Sequence, residues 1–182
     1  MAAPHWYMRA ESGAAHQGTQ KAATCGLHAV NHARRPLGTL HTWAEFDGRS
    51  KPEERTPSGD WELGALLRNV EAAGAVLRPV YPDALTSLSR WNPEQATLTL
   101  WAQDTLGYVM SVSGHWVALS RPDVPQTVDA AALLCDSMHK KPYALGVEDV
   151  RQLFTLIAAH QRNAPLHAAG QWSVHVVERA YP

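Results

Sequence analysis

The chain has 182 residues, of which 45% are hydrophobic and 18% are charged, so residues 1–182 can fold as a single domain with a sizeable core. Its formal net charge is −1, without a run of like charges, which removes the electrostatic reason to expect nucleic acid or an anionic membrane as a partner. Two cysteines cannot form a disulfide framework, and no apolar run is long enough to cross a bilayer, so we expect a soluble protein of a reducing compartment.

The first half of the chain has the pattern of helices separated by polar loops. The N-terminal stretch MAAPHWYMRAE lacks a basic region followed by an apolar one, which argues against a signal peptide. A first helix is predicted from Thr24, as its cap, to a point near Arg34. Residues 47–59 contain two prolines and two glycines among charged residues, which predicts a mobile surface loop. A second helix is predicted between Asp60, as its cap, and Gly74, as its stop.

After Gly74 the pattern changes to that of β-strands. A strand is predicted at residues 75–81, with Pro79 placing it near a sheet edge. Further β-rich segments lie at residues 97–101, 108–112, 115–120, 133–137 and 172–178. One late helix is predicted at residues 147–159, because its apolar residues share one stripe. Helices first and strands later favour an α+β fold.

Cys25 is the residue that raises the question of chemistry. It follows a threonine and precedes a glycine at the start of the first predicted helix. Backbone amides and the macrodipole at a helix N-terminus favour a thiolate, which is the nucleophilic form of cysteine. A cysteine is also often a small buried hydrophobe, so a catalytic interpretation of Cys25 requires partner groups elsewhere in the chain.

Three residues have the types and positions that such partners need. His115 opens a predicted strand in GHWVAL, which is a rigid position for a general base. Asp136 ends the next apolar run, where a carboxylate can accept the imidazole N–H. Gln20 lies five residues before Cys25, where its amide can join the Cys25 backbone N–H as an oxyanion donor. The set predicts a cysteine hydrolase with Cys25 as nucleophile, His115 as base, Asp136 as orienting group and Gln20 as oxyanion donor.

These segments resemble the Josephin family of papain-like deubiquitinases. The resemblance rests on Gln20 before Cys25, on His28 and Asn31 after it, and on the segments GHWVAL, CDSMHKKPYAL and WSVHVVER. It extends over most of the chain and implies a papain-like cysteine protease fold, with N-terminal helices packed on a mostly antiparallel sheet. Two features depart from the family: residues 39–59 are expected to be shorter and less helical than its helical arm, and the gap from histidine to aspartate is longer.

The resemblance also implies an activity, a substrate and a compartment. The expected activity is that of a thiol-dependent ubiquitinyl hydrolase, which cleaves isopeptide or peptide bonds after the C-terminal glycine of ubiquitin or a ubiquitin-like modifier without a cofactor. Gly26, Gly114 and Trp116 are expected to border the substrate groove, which the glycines keep open while Trp116 shields the base. We expect the protein in the cytoplasm, with the nucleus, or the host cytosol for a pathogen protein, as alternatives. Because the chain ends soon after its last predicted strand, we also expect it to be part of a longer polypeptide.

Other interpretations of the same residues stay open. Processing peptidases of the bacteriocin-leader type also have Gln before Cys-Gly and cut after a double glycine. A catalytically inactive ubiquitin-binding module would keep the fold for recognition alone, although the complete catalytic set argues against it. His28 and His32 have the i, i+4 spacing of zinc ligands, but no third ligand is suitably spaced, so no metal site is predicted. Cys135, inside an apolar run, is predicted to be a buried structural thiol.

Overall fold

One antiparallel sheet organises the protein. A computed structural model describes residues 25–38, 40–55, 62–88, 99–112, 114–122, 130–139, 142–163 and 172–181. The strands of these residues are β1 (Ala75–Val80), β2 (Thr105–Val112), β3 (His115–Ser120), β4 (Ala132–Cys135), β5 (Tyr143–Leu145) and β6 (Ser173–Arg179). They form a six-stranded sheet in the order β1-β6-β2-β3-β4-β5, in which all neighbouring strands are antiparallel. The edge position of β1 agrees with its proline at residue 79, which cannot donate to a neighbouring strand.

Helices cover both faces of this sheet. The helices of the described residues are α1 (Cys25–Ala33), α2 (Trp43–Arg49), α3 (Leu63–Glu71), α4 (Pro82–Leu88) and α5 (Val147–Asn163), with short 3₁₀ turns at Arg35–Leu37 and Pro52–Glu54. Apolar residues of α1, α2 and α3 form one buried cluster with strand residues that face one side of the sheet. Apolar residues of α4 and α5 form a second buried cluster with strand residues that face the opposite side. The sheet is therefore the middle of three layers. No helix of the described residues is long and apolar enough to span a membrane.

The α1 helix runs alongside β3 in the same direction. Near its start, a Cβ added to Gly26 would lie 3.8 Å from Cδ1 of Trp116, the second residue of β3. Near its end, the Ser120 hydroxyl donates a 2.7 Å hydrogen bond to the carbonyl oxygen of His32. These two contacts fix the axial position of the helix, so that the first turn of α1 lies at the end of the sheet where β3 begins.

The C-terminal end of α1 rests directly on β2. A Cβ added to Gly107 would lie 2.6 Å from Cα and 2.8 Å from the carbonyl carbon of Ala33, and real Cβ atoms essentially never approach other atoms so closely. Only glycine, which has no Cβ, allows this approach of the helix backbone to the strand.

The predicted α+β class is confirmed, and so are most of its later elements. Observed β1, β3, β6 and α5 overlap their predicted ranges, and Gly74, which follows α3, has a left-handed φ of 72° as a helix stop requires. Three predicted positions, Thr24, Asp60 and Gln20, lie outside the described residues.

Two predictions about local structure are wrong. Residues 99 and 100, within the segment predicted as a strand at 97–101, are helical. The expectation of a loop at residues 39–59, shorter and less helical than the Josephin arm, does not include α2 and the 3₁₀ turn that the structure shows there. A capping box explains why α2 starts where it does: Thr42 Oγ1 accepts from the Glu45 amide, and the Glu45 carboxylate accepts from the Thr42 amide at 2.7 Å.

Candidate active site

Cys25 is the first residue of α1, and its side chain is completely buried. The neighbouring Gly26 packs against the interior, since a Cβ there would lie 3.1 Å from Cδ1 of Leu66 and 3.5 Å from Cζ of Phe46. These surroundings are those of a packed interior and not of an open groove, which corrects the expectation that Gly26 keeps a groove open.

His115 is positioned by the tight turn between β2 and β3. Gly114, directly before it, has a φ of +82°, which is a left-handed conformation that glycine adopts at no steric cost. A Cβ added to Gly114 would meet nothing within 4 Å, so this glycine is needed for the turn rather than for packing. The turn makes His115 the first residue of β3 and leaves 28% of its side chain exposed.

The imidazole of His115 contacts the carboxylate of Asp136. Nε2 of His115 lies 2.7 Å from Oδ1 of Asp136, which follows the last residue of β4. The same Oδ1 accepts a 2.9 Å hydrogen bond from the backbone N–H of Met138, which holds the carboxylate in place. Because an ionised carboxylate only accepts hydrogen bonds, Nε2 of His115 carries a proton. In the neutral imidazole, Nδ1 is then the nitrogen available to accept a proton.

His28 connects the start of α1 with His115. It lies three residues after Cys25, on the same side of the helix, and it is buried. The pKa of His28 is lowered to about 4, chiefly by burial and to a smaller extent by the charge of His115. The first turn of α1 lies beside the start of β3, because a Cβ on Gly26 would lie 3.8 Å from Cδ1 of Trp116, the residue after His115. The structure thus brings Cys25, His115 and Asp136 to the same end of the sheet.

Trp116 lies in the packing beneath this site. Only 7% of the residue is exposed, and its indole lies between Gly26 on α1 and His175 on β6, with 6.4 Å between the Trp116 and His175 ring centroids. Burial of His175 lowers its pKa to about 4, so it is neutral near pH 7. Trp116 is expected from the sequence to border a substrate groove, and the structure places it instead in the interior, next to His115 in β3.

The histidine pair of α1 gives no sign of a metal site. The rings of His28 and His32 are stacked, with centroids 6.2 Å apart. Burial is the main cause that lowers the pKa of His32 to about 3. Among the residues that the structure describes, no three histidine, cysteine or acidic side chains are grouped so that they could hold a metal ion.

Sequence reasoning overlooked His139 and Tyr143. Nε2 of His139 lies 3.7 Å from Oδ2 of Asp136, the carboxylate oxygen that does not face His115. Nδ1 of His139 lies 2.9 Å from the Tyr143 hydroxyl. The sequence signal was the Asp136-Ser137 pair after a strand, since these residue types favour a turn. The His139 N–H closes this turn on the carbonyl of Asp136, which brings residues i and i+3 together.

Cys135 provides an internal reference for the reactivity of Cys25. It is buried in β4, its Sγ lies 3.7 Å from the Ser120 hydroxyl, and burial raises the pKa of its thiol to about 12. We expect limiting iodoacetamide to alkylate Cys25 before Cys135, because only Cys25 stands at a helix N-terminus that faces a histidine. Peptide mapping by mass spectrometry measures the order, and earlier labelling of Cys135 would contradict the assignment of Cys25 as the reactive thiol.

The chain matches no protein-family model. A search of curated proteins likewise finds no significant match. The assignment of a function therefore depends on the site itself and on the Josephin resemblance of its sequence.

Proposed function

We propose that this protein is a cysteine-dependent hydrolase in which Cys25 is the nucleophile, His115 the general base and Asp136 the orienting group. The observation that carries the proposal is the 2.7 Å contact between His115 and Asp136 at the end of the sheet where α1 begins. A histidine held by a carboxylate next to a cysteine at a helix start is the arrangement that activates a thiol.

The reaction follows from the protonation of these groups. Nδ1 of His115 takes the proton of the Cys25 thiol, and the sulfur attacks the carbonyl carbon of the scissile bond. The imidazolium then gives this proton to the leaving amine, the C–N bond breaks, and a thioester to Cys25 remains. Water, deprotonated by His115, hydrolyses the thioester. Asp136 stays ionised throughout and accepts the Nε2–H of His115. Gln20 is proposed as oxyanion donor on the strength of its position before Cys25 alone.

For the substrate, we favour ubiquitin or a ubiquitin-like modifier cleaved after its C-terminal glycine. The support is the resemblance of the sequence to the Josephin family, together with an N-terminal helix that carries the cysteine and packs on an antiparallel sheet, as a papain-like fold requires. An enzyme with this substrate would act in the cytoplasm or the nucleus.

The test is a set of activity-based probes. Ubiquitin with an electrophile in place of its C-terminal carboxylate should form a covalent adduct with the wild-type protein and with the control variant Cys135→Ala. Cys25→Ala should form none. Matched probes built on other ubiquitin-like modifiers, and a short peptide ending in Gly-Gly with the same electrophile, define the substrate class. Reaction of the peptide alone would favour a processing peptidase, and an adduct that persists in Cys25→Ala would reject the proposed nucleophile.

The complete burial of Cys25 favours a second candidate function. A protein that uses this fold only to bind ubiquitin needs no access to its cysteine, whereas reactive cysteines are commonly at least partly exposed. If no probe reacts but unmodified ubiquitin binds in a titration followed by calorimetry, the protein is a binding module. Adduct formation at Cys25 excludes this alternative.

A further inference from the structure

The carboxylate of Asp136 is shared between two histidines. Its Oδ1 faces Nε2 of His115 at 2.7 Å and accepts from the Met138 N–H, while its Oδ2 faces Nε2 of His139 at 3.7 Å. The second distance is that of an ion pair or a water-bridged contact and is longer than a hydrogen bond. One oxygen thus serves His115, and the other is in contact with His139.

A hydrogen bond from the Tyr143 hydroxyl can set the tautomer of His139. Its hydroxyl lies 2.9 Å from Nδ1 of His139, and the two rings meet edge to face with centroids 5.1 Å apart. When the hydroxyl donates to Nδ1, the neutral imidazole carries its proton on Nε2, which is the nitrogen that faces the carboxylate. The arrangement therefore directs an N–H, and not a lone pair, toward Oδ2 of Asp136.

The position of Asp136 in the fold explains why such a contact matters. Asp136 lies just beyond the last hydrogen-bonded pair of β4, in a turn that the His139 N–H closes on its carbonyl at 3.0 Å. Its side chain is 20% exposed, so water competes with the protein donors for this carboxylate. A carboxylate that must hold an imidazole in one orientation works best when its own rotation is restricted by further donors.

We propose that His139 is a positioning residue for the reaction above: it holds the second oxygen of Asp136, with its tautomer set by Tyr143, so that the first oxygen stays on His115. This inference rests on the proposed function. His139 and Tyr143 thereby become supporting residues of a site whose proposed catalytic set is Cys25, His115, Asp136 and Gln20.

The experiment compares between variants the second-order rate at which iodoacetamide alkylates Cys25 near neutral pH. All variants share the burial of Cys25, so a difference between their rates reports a change in its thiolate and needs no ubiquitin substrate. His139→Leu, which removes the donor, should lower the rate about 3- to 10-fold, the effect expected for one lost polar contact. His139→Gln keeps an N–H donor of similar reach and should restore the rate to within about twofold of wild type. Tyr143→Phe should give a smaller loss in the same direction.

A double-variant comparison separates positioning from a general structural role. In an Asp136→Asn background the carboxylate is already gone, so adding His139→Leu should cause no further loss of rate. With a fluorogenic ubiquitin substrate, His139→Leu should lower kcat and leave KM unchanged. The side chain of His139 is half exposed, and we expect the melting temperatures of all variants to stay within a few degrees of wild type.

The outcomes distinguish the two proposals. If wild-type Cys25 forms no adduct with the ubiquitin, ubiquitin-like or Gly-Gly probes, the proposed function fails. If wild-type Cys25 is reactive but His139→Leu leaves its rate unchanged, or lowers it equally in the Asp136→Asn background, the inference about His139 is overturned while the proposed function stands. Failure of His139→Gln to restore the rate would also overturn it.

Discussion

Replacement of His115 by alanine is expected to lower hydrolysis by about 10²–10⁴-fold, the usual contribution of a general acid–base group. The fold should survive, because His115 is the first residue of β3, is partly exposed and lies outside both core clusters. Turnover of a fluorogenic ubiquitin substrate measures the loss of hydrolysis, and thermal unfolding measures the stability of the fold. A variant that keeps more than a tenth of wild-type turnover would show that another group acts as the base.

Asp136→Asn is the matched comparison for His115→Ala, and we expect Asp136→Asn to lose less activity than His115→Ala. The Met138 N–H and Nε2 of His115 both face Oδ1, so the amide of the asparagine is expected to turn its oxygen toward these two donors. The imidazole then keeps its tautomer, and we expect a loss of about tenfold or less, smaller than that of His115→Ala. Equal losses in the two variants would mean that the charge of Asp136, and not only its acceptor, is required.

The largest effect on stability is expected at Gly107. A methyl group there would meet the backbone of Ala33, and a backbone at the end of α1 cannot move aside as a flexible side chain can. We expect Gly107→Ala to lower the free energy of unfolding by about 3 kcal/mol, at the upper end of the usual cost of overpacking. Urea denaturation, with the slope compared between variants, measures the change.

Gly48→Ala is the control for this substitution. Gly48 lies within α2, and a Cβ added there would meet nothing within 4 Å. Since alanine is the better helix former, we expect this variant to be neutral or more stable by up to about 1 kcal/mol. A loss of less than about 1 kcal/mol in Gly107→Ala would mean that α1 can shift away from β2 at little cost.

Periodic elements were predictable from the sequence because their own residues determine them. The apolar stripe of α5 and the continuous β-rich run of β3 are visible without knowledge of their neighbours. The segment at 97–101 has a similar β-rich composition, yet its described residues are partly helical. There, tertiary contacts fix the backbone: the Tyr108 hydroxyl donates to the carbonyl of Leu100, and Trp101 Nε1 donates to that of Ala131. Such contacts override local propensity.

The missed helix α2 is a different kind of error. The prolines, glycines and charges of residues 47–59 favoured a loop that overlaps the end of α2, whereas Thr42 and Glu45, which have the spacing of a capping box, were overlooked. An ion pair between Arg55 and Asp47 holds the segment after α2 against this helix. A second ion pair, between Arg68 and Glu54, holds the 3₁₀ turn against α3. The signal was in the sequence.

At the candidate site, residue types were predictable and orientations were not. A cysteine at a helix start, a histidine at a strand start and an aspartate after a strand could be selected by their chemistry, and the structure places the last two in contact. The inward direction of Gly26 and Trp116, and the complete burial of Cys25, depend on how α1 lies against β3. That placement is set by contacts between segments about 90 residues apart, such as the hydrogen bond from Ser120 to His32, with a sequence separation of 88.

The place of β6 has a consequence for how the protein is made. This strand is the last in chain order among those described, yet it lies inside the sheet between β1 and β2. On a ribosome, β1 can join the other described strands only after residues 173–179 have emerged, so β1 and β2 each lack their β6 partner until then. Pairings this distant in sequence also fold slowly. Until β6 is in place, the unpaired edges of β1 and β2 are sites at which the nascent chain can pair with other chains.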